Sequence, residues 1–95
     1  MGTFKIPLKA KMNARAAIYA NSLQNNKCAT LIGKRRAKQI ISDENLSLTT
    51  LKRTYSYLSR AKAYDKKDWS KCGTISYNLW GGDAMLIALK KFFNK

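Results

Sequence analysis

Histidine is absent from these 95 residues, and only five side chains are acidic. The missing imidazole removes the usual proton carrier near neutral pH. The few acids fall mostly in loop-like stretches, with no recognisable pair for general acid–base work. Cysteine occurs only at Cys28 and Cys72. Two separated thiols without histidine do not make a tetrahedral zinc site within one chain, and neither has an adjacent base to activate it as a nucleophile. The chain is therefore not expected to be an enzyme, and neither a metal nor another cofactor is expected. Cys28 and Cys72 can pair, but two cysteines carry no framework pattern, and reduced structural thiols in a cytosolic protein are the expectation. No run of 18 apolar residues is present, so no membrane-spanning helix and no membrane partner are expected. The start of the chain has Lys5 but no continuous apolar segment with a small-residue cleavage site, so export is not expected either.

What remains is a basic, folded composition. Nineteen Lys and Arg against the five acids give a formal charge of +14, while 45% apolar and 11% aromatic residues are compatible with a packed core. One small domain over residues 1–95 is expected. Met1 to Ser42 holds nine basic residues and no acid. Self-repulsion of this size opposes compaction, and an anionic partner relieves it. Nucleic acid is the leading candidate through counterion release, DNA ahead of RNA. An acidic protein surface is the competitor.

Hydrophobic spacing predicts an all-α bundle of four to five short helices with an extended N-terminal segment. In Gly2 to Leu8 the alternating Phe4, Ile6 and Leu8, with Pro7 steering Ile6 away from helix, suggest a strand-like piece that tucks Phe4 and Ile6 into the body. Ala10 to Leu23 is the first helix, with Met12, Ala16, Tyr19, Ala20 and Leu23 as its inner stripe. Asn21 to Lys27 reads as a polar loop. Ala29 to Ile41 is the second helix, with Thr30 as cap, Gly33 either weakening it or allowing a close approach, and Ala37, Ile40 and Ile41 as its apolar side. Ser47 caps the third helix, Leu46 and Leu51 form a staple, and Leu48, Leu51, Tyr55 and Leu58 make its stripe as far as Ala63. Tyr64 to Gly73 is a polar loop with Trp69 as its anchor in the core. Thr74 caps a short fourth helix containing Ile75, Tyr77, Leu79 and Trp80. Gly81 and Gly82 end it, and Asp83 caps the last helix through Phe93. The glycine pair is read as a structural corner, with Asp83 occupying the free N–H groups that an anion would otherwise take.

Three features carry the candidate binding chemistry. Helices two and three form a loose helix-turn-helix, in which helix three would present Thr49, Thr50, Lys52, Arg53 and Ser56. The Ser42 to Leu46 connection is longer than the usual three or four residues, so backbone contact is the primary expectation. The basic run Lys34, Arg35, Arg36 and Lys38, with Lys9, Lys11 and Arg15 as candidates to join it, can position phosphates without reading sequence. Lys66, Lys67 and Lys71 lie beside Tyr64 and Trp69, an interleaving that can stack single-stranded bases, although anchoring of the loop is the preferred reading.

From Lys5-Ile6-Pro7 onward, the chain resembles a small domain that recurs in mostly uncharacterised bacteriophage and large-virus proteins. The resemblance runs through Gly33, Arg36-Ala37-Lys38 and Leu46-Ser47-Leu48-Thr49-Thr50-Leu51-Lys52-Arg53. It continues with Ser56-Tyr57-Leu58, Trp69 and Gly73-Thr74-Ile75-Ser76-Tyr77, and closes on Leu79-Trp80-Gly81-Gly82-Asp83-Ala84. The chain departs from that pattern where a glycine pair is reduced to Gly33 and where a histidine is missing near Ala63 or Tyr64. The resemblance implies viral origin, in the host cytoplasm or the virion, and carries over no catalytic residue. The expected function is a small phage protein that binds nucleic acid through Lys34, Arg35, Arg36, Lys38, Thr49, Lys52 and Arg53. The alternative is a virion-associated or host-takeover protein that docks an acidic protein surface.

Overall fold

Pro7, with its fixed φ and no N–H to leave unsatisfied, sets the start of the first helix. In a computed structural model that describes residues 4–94, the chain is an all-α bundle: α1 Leu8–Leu23, α2 Leu31–Ile41, α3 Leu48–Ala61, a 3₁₀ turn Lys62–Tyr64, α4 Cys72–Leu79 and α5 Gly82–Phe93. Gly2 and Thr3 of the expected extended segment lie outside the described residues. Phe4 and Ile6 do tuck in, with Ile6 buried and Phe4 edge-on to Phe92 at 5.3 Å, while Leu8 is helical and exposed. α1 is the hub, packed against α2, α4 and α5, and α3 rests on α5, α4 and the 3₁₀ turn.

The buried face of α1 corrects the expected stripe. Ala10, Ala14, Ala17, Ala20 and Asn21 face inward, whereas Met12, Tyr19 and Leu23 are exposed. Both sets satisfy helical spacing, but only the alanine ridge lets neighbouring backbone approach closely. A Cβ placed on Gly81 would meet Ala10 Cβ at 3.4 Å, and Asn13 Nδ2 donates to the Gly81 carbonyl at 2.9 Å. Asn21 belongs to the helix rather than the following loop. Its Oδ1 accepts from Cys28 N at 3.0 Å and its Nδ2 donates to Asn26.

Thr30 and Ser47 cap α2 and α3 as expected, accepting from Gly33 N and Thr50 N. Buried Gly33, Arg36, Ala37 and Ile40 line one side of α2, leaving Leu31 and Ile32 exposed. α3 buries Leu51, Thr54, Leu58 and Ala61. Tyr55 stacks on Phe93 at 5.6 Å, and Leu48 is exposed. Thr54 can be buried because its hydroxyl donates to the Thr50 carbonyl.

Two capping expectations are corrected. Thr74 sits inside α4, which starts two residues earlier, and its Oγ1 accepts from Lys66 N and Asp68 N. That hydroxyl, rather than Trp69, fixes the 65–71 loop; Trp69 remains 42% exposed. Asp83 makes no cap hydrogen bond. Gly81, at φ 103°, is the N-cap of α5, and Asp83 lies in the first turn, where the helix dipole favours an acid. Gly81 and Gly82 both have left-handed φ, and a Cβ on either would collide, with Met85 or with Asn78.

The expectation of reduced thiols is also overturned. Cys28 and Cys72 form a disulfide with a Cα–Cα distance of 4.8 Å, across 44 residues of sequence. It fastens the loop after α1 to the first residue of α4. Sequence spacing cannot reveal such a contact, because it depends on two distant backbones meeting.

Two stability outcomes follow. Trp80 is buried and stacks on Tyr57 at 4.2 Å, so Trp80→Ala is expected to cost about 3–5 kcal/mol in a denaturant melt; near-wild-type stability would refute its role as the corner's anchor. Reducing the disulfide is expected to cost up to about 4 kcal/mol from the released loop entropy. Melts of the oxidised and reduced protein check this, and an unchanged midpoint would contradict it.

Candidate nucleic-acid interface

α2 sends its basic residues in two directions, because consecutive helical positions are about 100° apart. Lys34, Arg35 and Lys38 line a surface groove of about 430 Å³ with Leu31, Gln39 and Glu44. Lys34 and Lys38 also reach a second cleft on the α1 side, beside Ile18 and Asn26. Arg36 turns the other way, into the core. It is only 8% exposed, a correction to its reading as a surface contact.

The environment of Arg36 is unusual. Its guanidinium carbon lies 5.1 Å from the centre of the Trp80 ring, a cation–π contact that partly compensates for lost water. Nη1 donates to Gln39 Oε1, and Nε has no hydrogen-bond partner. Burial lowers its pKa, and Arg53 of α3 and then Arg35 lower it further by repulsion. The three arginines are therefore electrostatic neighbours, and none forms an ion pair with a carboxylate among the described residues.

α3 contributes an outward basic face. Thr49, Lys52, Arg53, Ser56 and Arg60 are exposed at helical spacing, and Arg60 Nη1 donates to Ser56 Oγ at 2.8 Å. The helix-turn-helix pairing itself is not formed. α2 rests on α1 and α4 instead of against α3, and the two are linked through Trp80, which meets Arg36 on one and Tyr57 on the other. The structure thus buries Arg36 within reach of the charges of Arg35 and Arg53 and leaves Thr49, Lys52 and Arg53 on the exposed side of α3. Lys9, Lys11 and Arg15 do not join them as a single patch. Lys11 pairs with Asp43 at 3.2 Å, and Lys9 lines a different cleft with Asp65, Lys67 and Asp83.

That cleft contains a pair that sequence reasoning missed. The Tyr77 hydroxyl donates to Asp83 Oδ1, and Lys62 and Lys67 lie 3.4 and 3.6 Å from the same carboxylate. The six-residue separation across a glycine corner gives no periodic signal for the pair. The Tyr77 hydrogen bond, ahead of the two lysines, holds the Asp83 carboxyl below the usual carboxylate range, although partial burial opposes this. Burial, followed by the Asp83 contact, pushes the Tyr77 phenol upward.

No protein-family model, curated protein or solved structure matches this chain, so the chemistry of the site is read from its own residues. Among the described residues no helix is long and apolar enough to cross a membrane, and no cluster of metal-ligating side chains occurs.

The Asp83 arrangement fixes the sign of a pH effect. A carboxyl whose folded pKa is depressed contributes stability above its unfolded value, and that contribution is lost as pH falls toward the folded one. Stability is therefore expected to decline as pH drops below about 4, and Asp83→Asn is expected to flatten that limb. Denaturant melts between neutral and acid pH measure this; parallel acid limbs in the two proteins would contradict the assignment.

Proposed function

We propose that the protein binds nucleic acid mainly through the phosphate backbone, with the arginine group between α2 and α3 as its centre. The observation that carries this reading is the buried Arg36, which has an unpartnered Nε, exposed Arg35 and Arg53 nearby and no carboxylate counter-ion among the described residues. Clustered cations without an acid are a standing electrostatic cost, and a polyanion at the surface lowers it. Arg35 and Arg53 supply the direct phosphate contacts in a planar, bidentate geometry. Arg36 adds positive potential from the buried side. Lys34, Lys38 and Lys52 widen the field, and Thr49 supplies a hydroxyl at the N-terminal end of α3. DNA is the preferred form.

The viral resemblance and the disulfide together favour a virion component over a protein confined to the reducing host cytoplasm, where such bonds rarely persist.

Binding to duplex DNA is expected to weaken steeply with salt, and Arg35→Gln and Arg53→Gln are each expected to reduce the log–log salt slope by about 1. Fluorescence anisotropy titrations over a series of salt concentrations measure the slope. Failure to bind any nucleic acid at low salt would sink the proposal.

A further inference from the structure

Four aromatic pairs, Phe4–Phe92, Phe92–Phe93, Tyr55–Phe93 and Tyr57–Trp80, use six of the ten aromatic rings, and a seventh, Tyr77, is held by Asp83. Tyr19, Tyr64 and Trp69 are left, all exposed and none stacked on another ring. Two of these, Tyr19 of α1 and Trp69 of the 65–71 loop, line one open groove of about 460 Å³ with Ala16, Ala20, Leu23 and Gln24. Small alanines form part of the wall, so the two large rings stand out from it.

The groove is built rather than incidental. Cys28 follows the α1 wall by a few residues and Cys72 follows Trp69 by three, so the disulfide ties the two walls together. Thr74 holds the loop from beneath through Lys66 N and Asp68 N. A preformed slot avoids the ordering cost that weakens binding by loose aromatics.

The charge around it points to the occupant. The nearby acids are turned toward their own surroundings: Asp65 and Asp68 of the loop accept from Lys67 N and from Ser70, and Asp83 of α5 accepts from Tyr77. Lys66 and Lys71 flank Trp69 in sequence and form no ion pair with a carboxylate among the described residues. Trp69 also lines the neighbouring cleft, which carries Lys9 and Lys67. Flat aromatic surfaces beside cations that can follow a backbone are the chemistry of single-stranded nucleic acid, whose unpaired bases offer a π-face that duplex DNA keeps hidden.

We propose that the Tyr19–Trp69 groove is a binding site for unpaired bases of single-stranded nucleic acid, with Lys66, Lys71 and Lys9 following its phosphates. The proposal rests on the nucleic-acid reading above but uses different residues, so the two can fail separately.

The test is anisotropy titration at low salt with oligo-dT and oligo-U strands of about 15 nucleotides, a duplex of the same length and an oligo-glutamate peptide containing leucine. Tryptophan emission is followed in parallel. Wild-type emission is expected to be quenched by the single strands, and Trp69→Ala to remove that quenching while buried Trp80 still emits. Trp69→Ala and Tyr19→Ala are each expected to weaken single-strand binding roughly tenfold, with duplex affinity and the thermal midpoint little changed. The oligo-dT and oligo-U arms tell DNA from RNA. The Arg35→Gln, Arg53→Gln double variant is expected to lose duplex binding while retaining Trp69 quenching by a strand. Unaltered strand binding in both aromatic variants would overturn the proposal. So would Trp69-dependent binding of the acidic peptide without any strand-induced quenching, which would assign the groove to a protein partner.

Discussion

Trp80 is the contact on which the rest of the arrangement depends. Its ring stacks on Tyr57 of α3, carries Arg36 of α2, and sits at the end of α4 immediately before the glycine turn into α5. One side chain at the end of α4 thus meets both α2 and α3. Gly33 packs close to the same indole: a Cβ there would lie 3.5 Å from Nε1, an ordinary contact, and 3.3 Å from the Thr30 hydroxyl that caps the helix, which would have to give by a few tenths of an ångström.

A second constraint is the scarcity of acids. Asp43 pairs with Lys11, Asp83 meets Tyr77 and two lysines, and Asp65 and Asp68 accept from backbone N–H groups of their own loop. These four carboxylates are committed to local structure. Glu44, which stands on the rim of the α2 groove, is the exception. The arginines of α2 and α3 are consequently left without an internal counter-ion among the described residues. Surface ion pairs contribute little to stability in any case, so the loop acids act mainly by shaping turns, and the surplus positive charge remains available to a partner.

The parts of the fold legible in the sequence were those encoded by neighbouring residues. Thr30 and Ser47 sit at the positions where a hydroxyl reaches a free N–H, and Gly81-Gly82 marks a left-handed turn whatever surrounds it. Long-range choices were not encoded in that way. The α1 sequence offers a stripe of large residues and a ridge of alanines at equally good spacing, and the close packing of α2, α4 and α5 on α1, with Gly81 against Ala10, selects the ridge. Thr74 has the composition of a cap, but the loop that folds back on it takes its hydroxyl. In the site, Arg35 and Arg53 were legible as exposed cations. Arg36 was misread because a basic run invites a single surface, even though Gly33, Arg36, Ala37 and Ile40 already show the spacing of a buried face.

The same misreading bears on how the protein meets an anion. A continuous patch made of Lys34, Arg35, Arg36 and Lys38 would hold a phosphate chain along one helix. The observed arrangement places Lys34, Arg35 and Lys38 on one groove of α2, with Lys34 and Lys38 also reaching the α1 side, and buries Arg36 against Trp80. The exposed charge consequently lies on the outer faces of α2 and α3, with Arg36 withdrawn from both. Trp80 joins the buried arginine of α2 to Tyr57 of α3, so a change at the glycine corner is expected to reach Arg36 through the indole. The aromatic groove is held by a separate fastening, the Cys28–Cys72 bond, so loss of that bond would be felt there before it reached the arginines.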